Sequence, residues 1–178
     1  MGGGTVYLPA GESNHDGRLR IPDGISLIGK GTDSTIIKNA VFSINTDHYG
    51  KLDKPFRVSG ISFKDDSYLE VRSCRDFRID HCYIEADGGS AISIITSHAG
   101  VIDHCNVSAT NYGIVISHGL TDRHPEDWVK DTKQLLGSGN AIFIEDCRFS
   151  GYHHAIVGHA NAHYVAINNT FNDGGNSA

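Results

Sequence analysis

Three acidic residues occupy the same position in three copies of one short segment, and their types and spacing could support chemistry. The copies are Ile79-Asp80-His81-Cys82, Ile102-Asp103-His104-Cys105 and Ile144-Glu145-Asp146-Cys147. On neighbouring strands, about 4.8 Å apart, the carboxylates of Asp80, Asp103 and Glu145 would repel one another unless a cation, a basic neighbour or water offsets their charge. They are therefore a candidate cation site. The alternative is that they accept hydrogen bonds from turns, or pair with Arg57, Arg78 or the adjacent histidines.

A second candidate group is built on histidines, of which the chain has eleven. His98, His118 and His159 each follow a comparable apolar run, which predicts that they gather at one edge of the structure. The candidates for proton transfer or substrate positioning are His118, Arg123, His124 and Arg148. The candidates for substrate binding are His98, His159 and Trp128. The alternative is a set of turn histidines whose hydrogen bonds are satisfied within the fold.

His81 and His104 each follow an aspartate, and Asp-His pairs occur in catalysis and beside metal ligands. Repetition of the pair in successive copies favours a structural ladder over a catalytic dyad. The sequence has no motif for a serine or cysteine nucleophile, and Gly29-Lys30-Gly31 is too short to be a phosphate-binding loop.

The elements that position these residues follow from the spacing of the copies. Most copies lie roughly 21 to 23 residues apart, a period typical of solenoids, and the doubled step from Cys105 to Cys147 indicates an insertion. Within each copy apolar residues alternate, as strands with one buried face require. Two inward ladders are predicted: Val58, Ile79, Ile102, Ile144 and Ala166 in one, and Phe63, Ile84, Val107, Phe149 and Phe171 in the other. The pattern predicts a parallel β-helix of about eight coils in a single domain, 1–178.

Composition excludes several classes of protein. The chain has 15 basic and 21 acidic residues, a formal charge of -6, which argues against a nucleic acid as partner. No apolar run is long enough to span a membrane, and Met1-Gly2-Gly3-Gly4 lacks the features of a signal peptide. Cys82, Cys105 and Cys147 share an inward position, so we interpret them as small buried hydrophobic residues. Buried thiols fit either redox compartment, so localisation stays open.

Three segments resemble signatures of the pectate-lyase-like β-helix superfamily: 2–11, 25–37 and 77–82. The last is similar to the Trp-Ile-Asp-His segment of pectate lyases, with Arg78 where that family has tryptophan. The resemblance implies a right-handed, single-stranded parallel β-helix, and calcium on an acidic ladder. The catalytic arginine or lysine of the family has no matching motif in this chain. The segments within 140–165 look like parts of bacterial β-helix proteins, often of unassigned activity.

The two ends and one insertion also carry predictions. The family usually has a helical cap before the first glycine-rich strand, and this sequence lacks one, so we expect a fragment or a short gene product with an exposed core end. Exposed ends predict self-association into homo-oligomers. In the insertion, 119–139, a short helix near 122–136 is expected to pack Trp128 and Leu135 against the solenoid wall. A full-length parent would be secreted or displayed at the cell surface.

These observations favour a carbohydrate-active β-helix domain that binds or cleaves an acidic polysaccharide. Cleavage would be a cation-assisted β-elimination from a uronic acid, in which a histidine beside an arginine transfers the proton. One alternative is a non-catalytic scaffold or adhesin-type domain. Another is a glycoside hydrolase, which needs two carboxylates facing each other across a groove.

Overall fold

The computed structural model describes residues 3–22, 24–45, 54–74, 76–95, 99–117, 141–159 and 162–172. Within these ranges the regular elements are eighteen β-strands. In chain order they are β1 (Gly4–Tyr7), β2 (Gly11–Pro22), β3 (Ile25–Ile28), β4 (Thr35–Asn45), β5 (Phe56–Ser59), β6 (Ser62–Lys64), β7 (Tyr68–Arg72), β8 (Phe77–Asp80), β9 (Tyr83–Ala86), β10 (Ser90–Ile95), β11 (Gly100–Asp103), β12 (Asn106–Ala109), β13 (Tyr112–Ser117), β14 (Ile142–Glu145), β15 (Arg148–Ser150), β16 (His154–His159), β17 (Tyr164–Ile167) and β18 (Thr170–Phe171).

The strands stack as a parallel β-helix, as predicted. A typical coil has three strands, such as β8, β9 and β10, and each pairs in parallel with its equivalents on the neighbouring coils. The first strands of the coils form the first sheet, in the order β1-β3-β5-β8-β11-β14-β17. The second strands form a second ladder, β6-β9-β12-β15-β18, and the third strands form a third ladder, β7-β10-β13-β16. The long strand β4 joins these two ladders, because it pairs with both β6 and β7, and β2 pairs along β4.

Within the described ranges the stack contains six complete coils and part of a seventh, fewer than the eight predicted. Coils 1 and 2 are β1–β2 and β3–β4, coils 3 to 6 are β5–β7, β8–β10, β11–β13 and β14–β16, and the seventh begins with β17 and β18. The count is lower because β11 pairs directly with β14, so β11–β13 and β14–β16 are neighbouring coils. The doubled step is therefore an insertion between neighbouring coils, as predicted. The helix predicted near 122–136 lies outside the described residues.

The core runs through the middle of the coils, and both predicted inward ladders are confirmed. Cα pairing connects Val58, Ile79, Ile102, Ile144 and Ala166 in register along the first sheet. It likewise connects Phe63, Ile84, Val107, Phe149 and Phe171 along the second ladder. Except at the last coil, these side chains are buried. Burying each large apolar side chain contributes about 1.5 to 3 kcal/mol, so coils that could not fold alone stabilise one another.

All four cysteines are buried free thiols, which confirms the interpretation of Cys82, Cys105 and Cys147 as small core residues. The thiol of Cys105 lies between those of Cys82 and Cys147, and hydrogen bonds to these neighbours, together with burial, raise its pKa well above the ordinary value. Asn169 occupies the next position of this ladder. Its side chain accepts a hydrogen bond from the backbone N–H of Cys147 (2.9 Å) and donates one to the carbonyl of Ile144 (2.8 Å).

A repeated turn connects the first sheet to the second ladder, and it decides where the candidate site residues point. At this corner the backbone is left-handed, with φ between 50° and 66° at Gly60, His81, His104, Asp146 and Asn168. Most of these backbone N–H groups donate to a carbonyl of the next coil, for example His81 to Asp103 (3.2 Å). The turn thus accepts several residue types, with asparagine and aspartate among those that tolerate it best.

Both ends of the described stack carry exposed apolar side chains. Val6 and Tyr7 lie on the first coil, and Tyr164, Ile167 and Phe171 lie on the last. Such surfaces are consistent with association, which stays a prediction. Among the described residues, no helix has the length and apolar character needed to cross a membrane.

Candidate functional site

The structure brings the three acidic residues of the repeat onto one ladder. Asp80 is the register partner of Asp103, and Asp103 is the partner of Glu145, at the C-terminal ends of β8, β11 and β14. Alternation along each strand turns these side chains outward, away from the core position held by Ile79 and its equivalents. The stacking that the sequence predicts is therefore present, on the outer face of the first sheet.

Two arginines cover the first two carboxylates. Arg57, on the preceding coil, donates from Nε and Nη2 to the two carboxylate oxygens of Asp80, each at 2.6 Å. Arg78 repeats the arrangement one coil later, with Nε and Nη2 at 2.9 and 2.7 Å from the carboxylate oxygens of Asp103. The aspartate side chains are 0% and 5% exposed, whereas the arginine side chains are 47% and 49% exposed. Each buried carboxylate thus fixes a guanidinium whose remaining N–H donors face solvent.

These contacts keep both aspartates ionised. Burial would raise the pKa of Asp80, but hydrogen bonds from Arg57, His81 and Ser59 outweigh it and lower the pKa to about 2. The pKa of Asp103 is likewise lowered, because hydrogen bonds from Arg78 and His104 outweigh burial. Neither aspartate can therefore donate a proton near neutral pH.

Each aspartate also orients a histidine. The Nδ1 atom of His81 lies 2.7 Å from Asp80 Oδ2, and Nδ1 of His104 lies 2.9 Å from Asp103 Oδ2. Because an ionised carboxylate only accepts hydrogen bonds, Nδ1 carries the hydrogen, and in the neutral ring the lone pair is on Nε2. The two imidazoles stack with centroids 5.0 Å apart and planes 3° apart, and both are more than half exposed. We call Arg57, Asp80 and His81 the first tier, and Arg78, Asp103 and His104 the second tier.

The arrangement ends at the next coil. Where an arginine would precede Glu145, the chain has Val101, and Asp146 stands in the place of the histidine. Asp146 instead accepts a hydrogen bond from the side chain of Asn168. We call Val101, Glu145 and Asp146 the third-tier position. It keeps the left-handed turn and the strand pairing but not the guanidinium or the imidazole.

A shallow cavity of about 370 Å³ lies beside the first tier, at the N-terminal ends of the strands in coils 1 to 3. Its lining residues are Gly3, Gly4, Thr5, Gly24, Ser26, Lys54 and Pro55. Ser26 connects the cavity with the tiers, because its hydroxyl accepts a hydrogen bond from the backbone N–H of Arg57 (3.0 Å). Ser26 therefore lies between the cavity and the first tier on the outer face of the first sheet.

The carboxylate ladder does not fit a calcium ion as it stands. The oxygens of Asp80 and Asp103 are already used by arginines, whose positive charges would repel a cation. Within the described ranges, no cluster of three or more histidine, cysteine, aspartate or glutamate side chains is placed to hold a metal ion. The contacts correspond to the arginine and histidine pairing that the sequence left as the alternative. Calcium binding here stays a prediction.

The remaining candidates are spread over other parts of the chain. Arg148 is exposed on the second ladder, in register with Asn106 and Thr170. His159 is exposed at the end of β16 on the third ladder, so these two residues lie on different faces. The other predicted site residues lie outside the described part of the chain: His98, His118, Arg123, His124 and Trp128.

From the sequence, Arg57 and Arg78 are expected only to pair with the carboxylates, and His81 and His104 are expected to form a structural ladder. A usable signal was present, because Arg57 and Arg78 stand at equivalent strand positions in consecutive coils. Arg78 also stands two residues before an Asp-His pair, in the segment Arg78-Ile79-Asp80-His81. Which aspartate each arginine would reach, its own or that of the next coil, depends on side-chain direction, which the repeat does not reveal.

Comparisons with known proteins bear on the architecture as a whole. Neither the curated proteins nor the solved structures include a match to this chain. A family model described as rhamnogalacturonase A/epimerase, pectate lyase-like, matches residues 1–178. Together with the parallel strand order, this match over the full sequence shows that the chain belongs to the rhamnogalacturonase A/epimerase, pectate lyase-like family.

Proposed function

We propose that this chain binds an acidic polysaccharide along the outer face of the first sheet, with the two tiers holding carboxylates of its uronic acid units. The observation that carries the proposal is the pair of half-exposed guanidiniums fixed, one coil apart, on buried carboxylates. Membership of the rhamnogalacturonase A/epimerase, pectate lyase-like family supports a carbohydrate-active role. The acidic character of the sugar follows from the arginines.

The tiers suit a carboxylate ligand for a physical reason. A guanidinium binds carboxylates through paired N–H donors, and a side chain already fixed in position loses less entropy when it binds. In each tier two of the five N–H donors hold the aspartate, which leaves three for a ligand. Because the arginines repeat at the strand spacing of about 4.8 Å, they can meet carboxylates that also repeat along a polymer.

Cleavage by β-elimination is the reaction that these residues support best. The Nε2 lone pair of His81 or His104 would take the proton from the carbon next to the uronate carboxylate, while Arg57 or Arg78 stabilises the charge that develops on that carboxylate. The bond from the neighbouring carbon to the glycosidic oxygen then breaks, a carbon–carbon double bond forms, and the departing oxygen takes a proton from water. The arginines supply the neutralising charge that the sequence analysis assigned to a cation.

Hydrolysis through the same ladder has less support. A glycoside hydrolase needs one carboxyl group that donates a proton, and the lowered pKa values of Asp80 and Asp103 keep both ionised. A non-catalytic scaffold would use the same solenoid but has no need for stacked Asp-His pairs. Measuring unsaturated products and reducing ends together distinguishes both alternatives from β-elimination.

The test is product formation on uronate and neutral polysaccharides, following the absorbance of unsaturated products and the reducing ends together, with Ca²⁺ and with chelator. We expect absorbance on uronates only, lost in a His81→Asn, His104→Asn variant. Reducing ends without absorbance would indicate hydrolysis. Binding without any product would limit the proposal to recognition, and neither binding nor product on any uronate would refute it.

A further inference from the structure

A second charged cluster lies on the outer side of the third ladder, which we call the third face. Glu70 on β7 is buried, with 10% of its side chain exposed, and it is the register partner of Ser43 on β4. Arg18 on coil 1 reaches across coil 2 and donates from Nη1 to Glu70 Oε1 at 2.7 Å. Arg72 approaches the other oxygen, Oε2, through Nη2 at 3.4 Å. Two guanidiniums therefore converge on one carboxylate.

A third arginine completes the cluster. Arg20 alternates with Arg18 on β2, so both point to the same side, and its register partner is Ser43. Because Ser43 is also the register partner of Glu70, Arg20 and Glu70 share one outward-facing line across the strands, two strands apart. The side chain of Arg20 is exposed. Two arginines contact Glu70 and a third, Arg20, shares its outward line, whereas Asp80 and Asp103 are each held by one bidentate arginine, with Arg78 also 3.7 Å from Asp80.

This excess of positive charge has no structural need that the described contacts explain. Glu70 already accepts hydrogen bonds from Ser43 (2.9 Å) and Arg18, so it is satisfied without Arg20. Guanidiniums held close together repel one another, and an anion between them relieves that repulsion. Arg18 also donates to the hydroxyl of Tyr68 at 3.5 Å, which holds its planar group near the surface.

We propose that Arg18, Arg20 and Arg72 form an oxyanion-binding site on the third face, which takes a carboxylate or sulfate group of an acidic glycan. Glu70 is a positioning residue, because it orients Arg18 and Arg72 without facing the ligand. The oxyanion site stands on the charge and geometry of this cluster alone, and its assignment to a glycan rests on the proposed function. The site would give the chain a second contact with polysaccharide, on a face different from that of the tiers.

The experiment is a titration of isotope-labelled protein with sodium sulfate, at ionic strength held constant with sodium chloride, following arginine side-chain resonances by NMR. We expect saturable shifts at Arg18, Arg20 and Arg72, and affinity about tenfold weaker in Arg20→Ala and in Arg72→Gln. Arg20→Ala truncates an exposed side chain that makes no hydrogen bond or ion pair within the described residues, so it keeps the test valid if other variants unfold.

Lys64→Ala is the control, since it removes a basic strand residue on the second ladder and should leave sulfate affinity unchanged. Equal affinity in wild type and Arg20→Ala, or sulfate shifts at Arg148 as large as those at Arg18, would overturn the site. An oligouronate and a sulfated oligosaccharide then identify the source of the anion, each measured in the Arg57→Lys, Arg78→Lys background. Sulfate shifts that persist in that background while oligouronate binding is lost would remove the glycan assignment and keep the oxyanion site.

Discussion

The second tier and the third-tier position stand on neighbouring coils with the same backbone but different chemistry. His104 and Asp146 share a left-handed turn, with φ of 52° at both, and Asp103 and Glu145 are register partners. Yet only the second tier has the bidentate arginine and the oriented imidazole. The coil therefore also forms with Val101, Glu145 and Asp146 at these positions. The solenoid therefore does not require the Arg-Asp-His arrangement. For this reason we propose that the arrangement has a functional role.

Removing both imidazoles should have the largest effect on activity and should separate the tiers from the third-tier position most clearly. Asparagine tolerates this turn, since Asn168 adopts it with φ of 55°, so His81→Asn, His104→Asn should fold with little loss of stability. We expect product formation to fall about 100-fold or more, the usual contribution of a general base. The check is the initial rate of unsaturated product on an oligouronate, with Asp146→Asn as the control at the third-tier position. Equal losses in both variants would mean that the turn, and not the imidazole, matters.

Truncating the outward side chain at this strand position should lower the free energy of unfolding appreciably only where that side chain is an arginine paired with a buried carboxylate. Arg57→Ala leaves the buried Asp80 without its main partner, and we expect a loss of about 2 to 3 kcal/mol, less than for a fully buried pair because Arg57 is half exposed. Val101→Ala, at the same strand position two coils on, should cost about 1 kcal/mol or less. Urea unfolding curves measure both. If the two losses were equal, the Arg57–Asp80 pair would not stabilise the fold.

Acid should weaken the tiers in a defined pH range. The pKa of Asp80 is lowered to about 2 in the fold, below an unfolded value of about 3.9, so its ionised form stabilises the protein above about pH 4. This contribution, about 2 kcal/mol, is lost as the pH falls from about 4 towards 2. Urea midpoints measured across this range should decline steeply in wild type and less so in Asp80→Asn. An identical slope in both proteins would contradict the assignment.

The smallest expected effect comes from building a third tier. Val101→Arg, Glu145→Asp and Asp146→His together place the same residues one coil further along the stack. Because one added exposed contact contributes little, we expect oligouronate affinity to rise about threefold. Calorimetric titration with oligomers of increasing length measures the gain, which should appear only with oligomers long enough to reach coil 6. A gain that is the same for short and long oligomers would count against a ladder of carboxylate subsites.

The architecture was predictable from the sequence because repetition is a strong signal. One inward ladder is read directly from Ile79, Ile102 and Ile144, and strand pairing places them in register. The coil number was overestimated, since residue count alone does not separate coils from insertions. The acidic ladder was likewise predicted, but its charge partner was left open, because Arg78 can reach either Asp80 at 3.7 Å or Asp103 at 2.7 Å. The arginine cluster at Glu70 was not predicted, since Arg18 lies 52 residues away in sequence.

The most direct test of the account is the affinity of a purified oligouronate for wild type and for Arg57→Lys, Arg78→Lys, measured by calorimetry at one ionic strength. Lysine keeps the charge but lacks the planar fork, so net electrostatics are matched and only the geometry changes. We expect about tenfold weaker binding in the double variant than in wild type. A folded double variant that binds as tightly as wild type would contradict the assignment of the tiers.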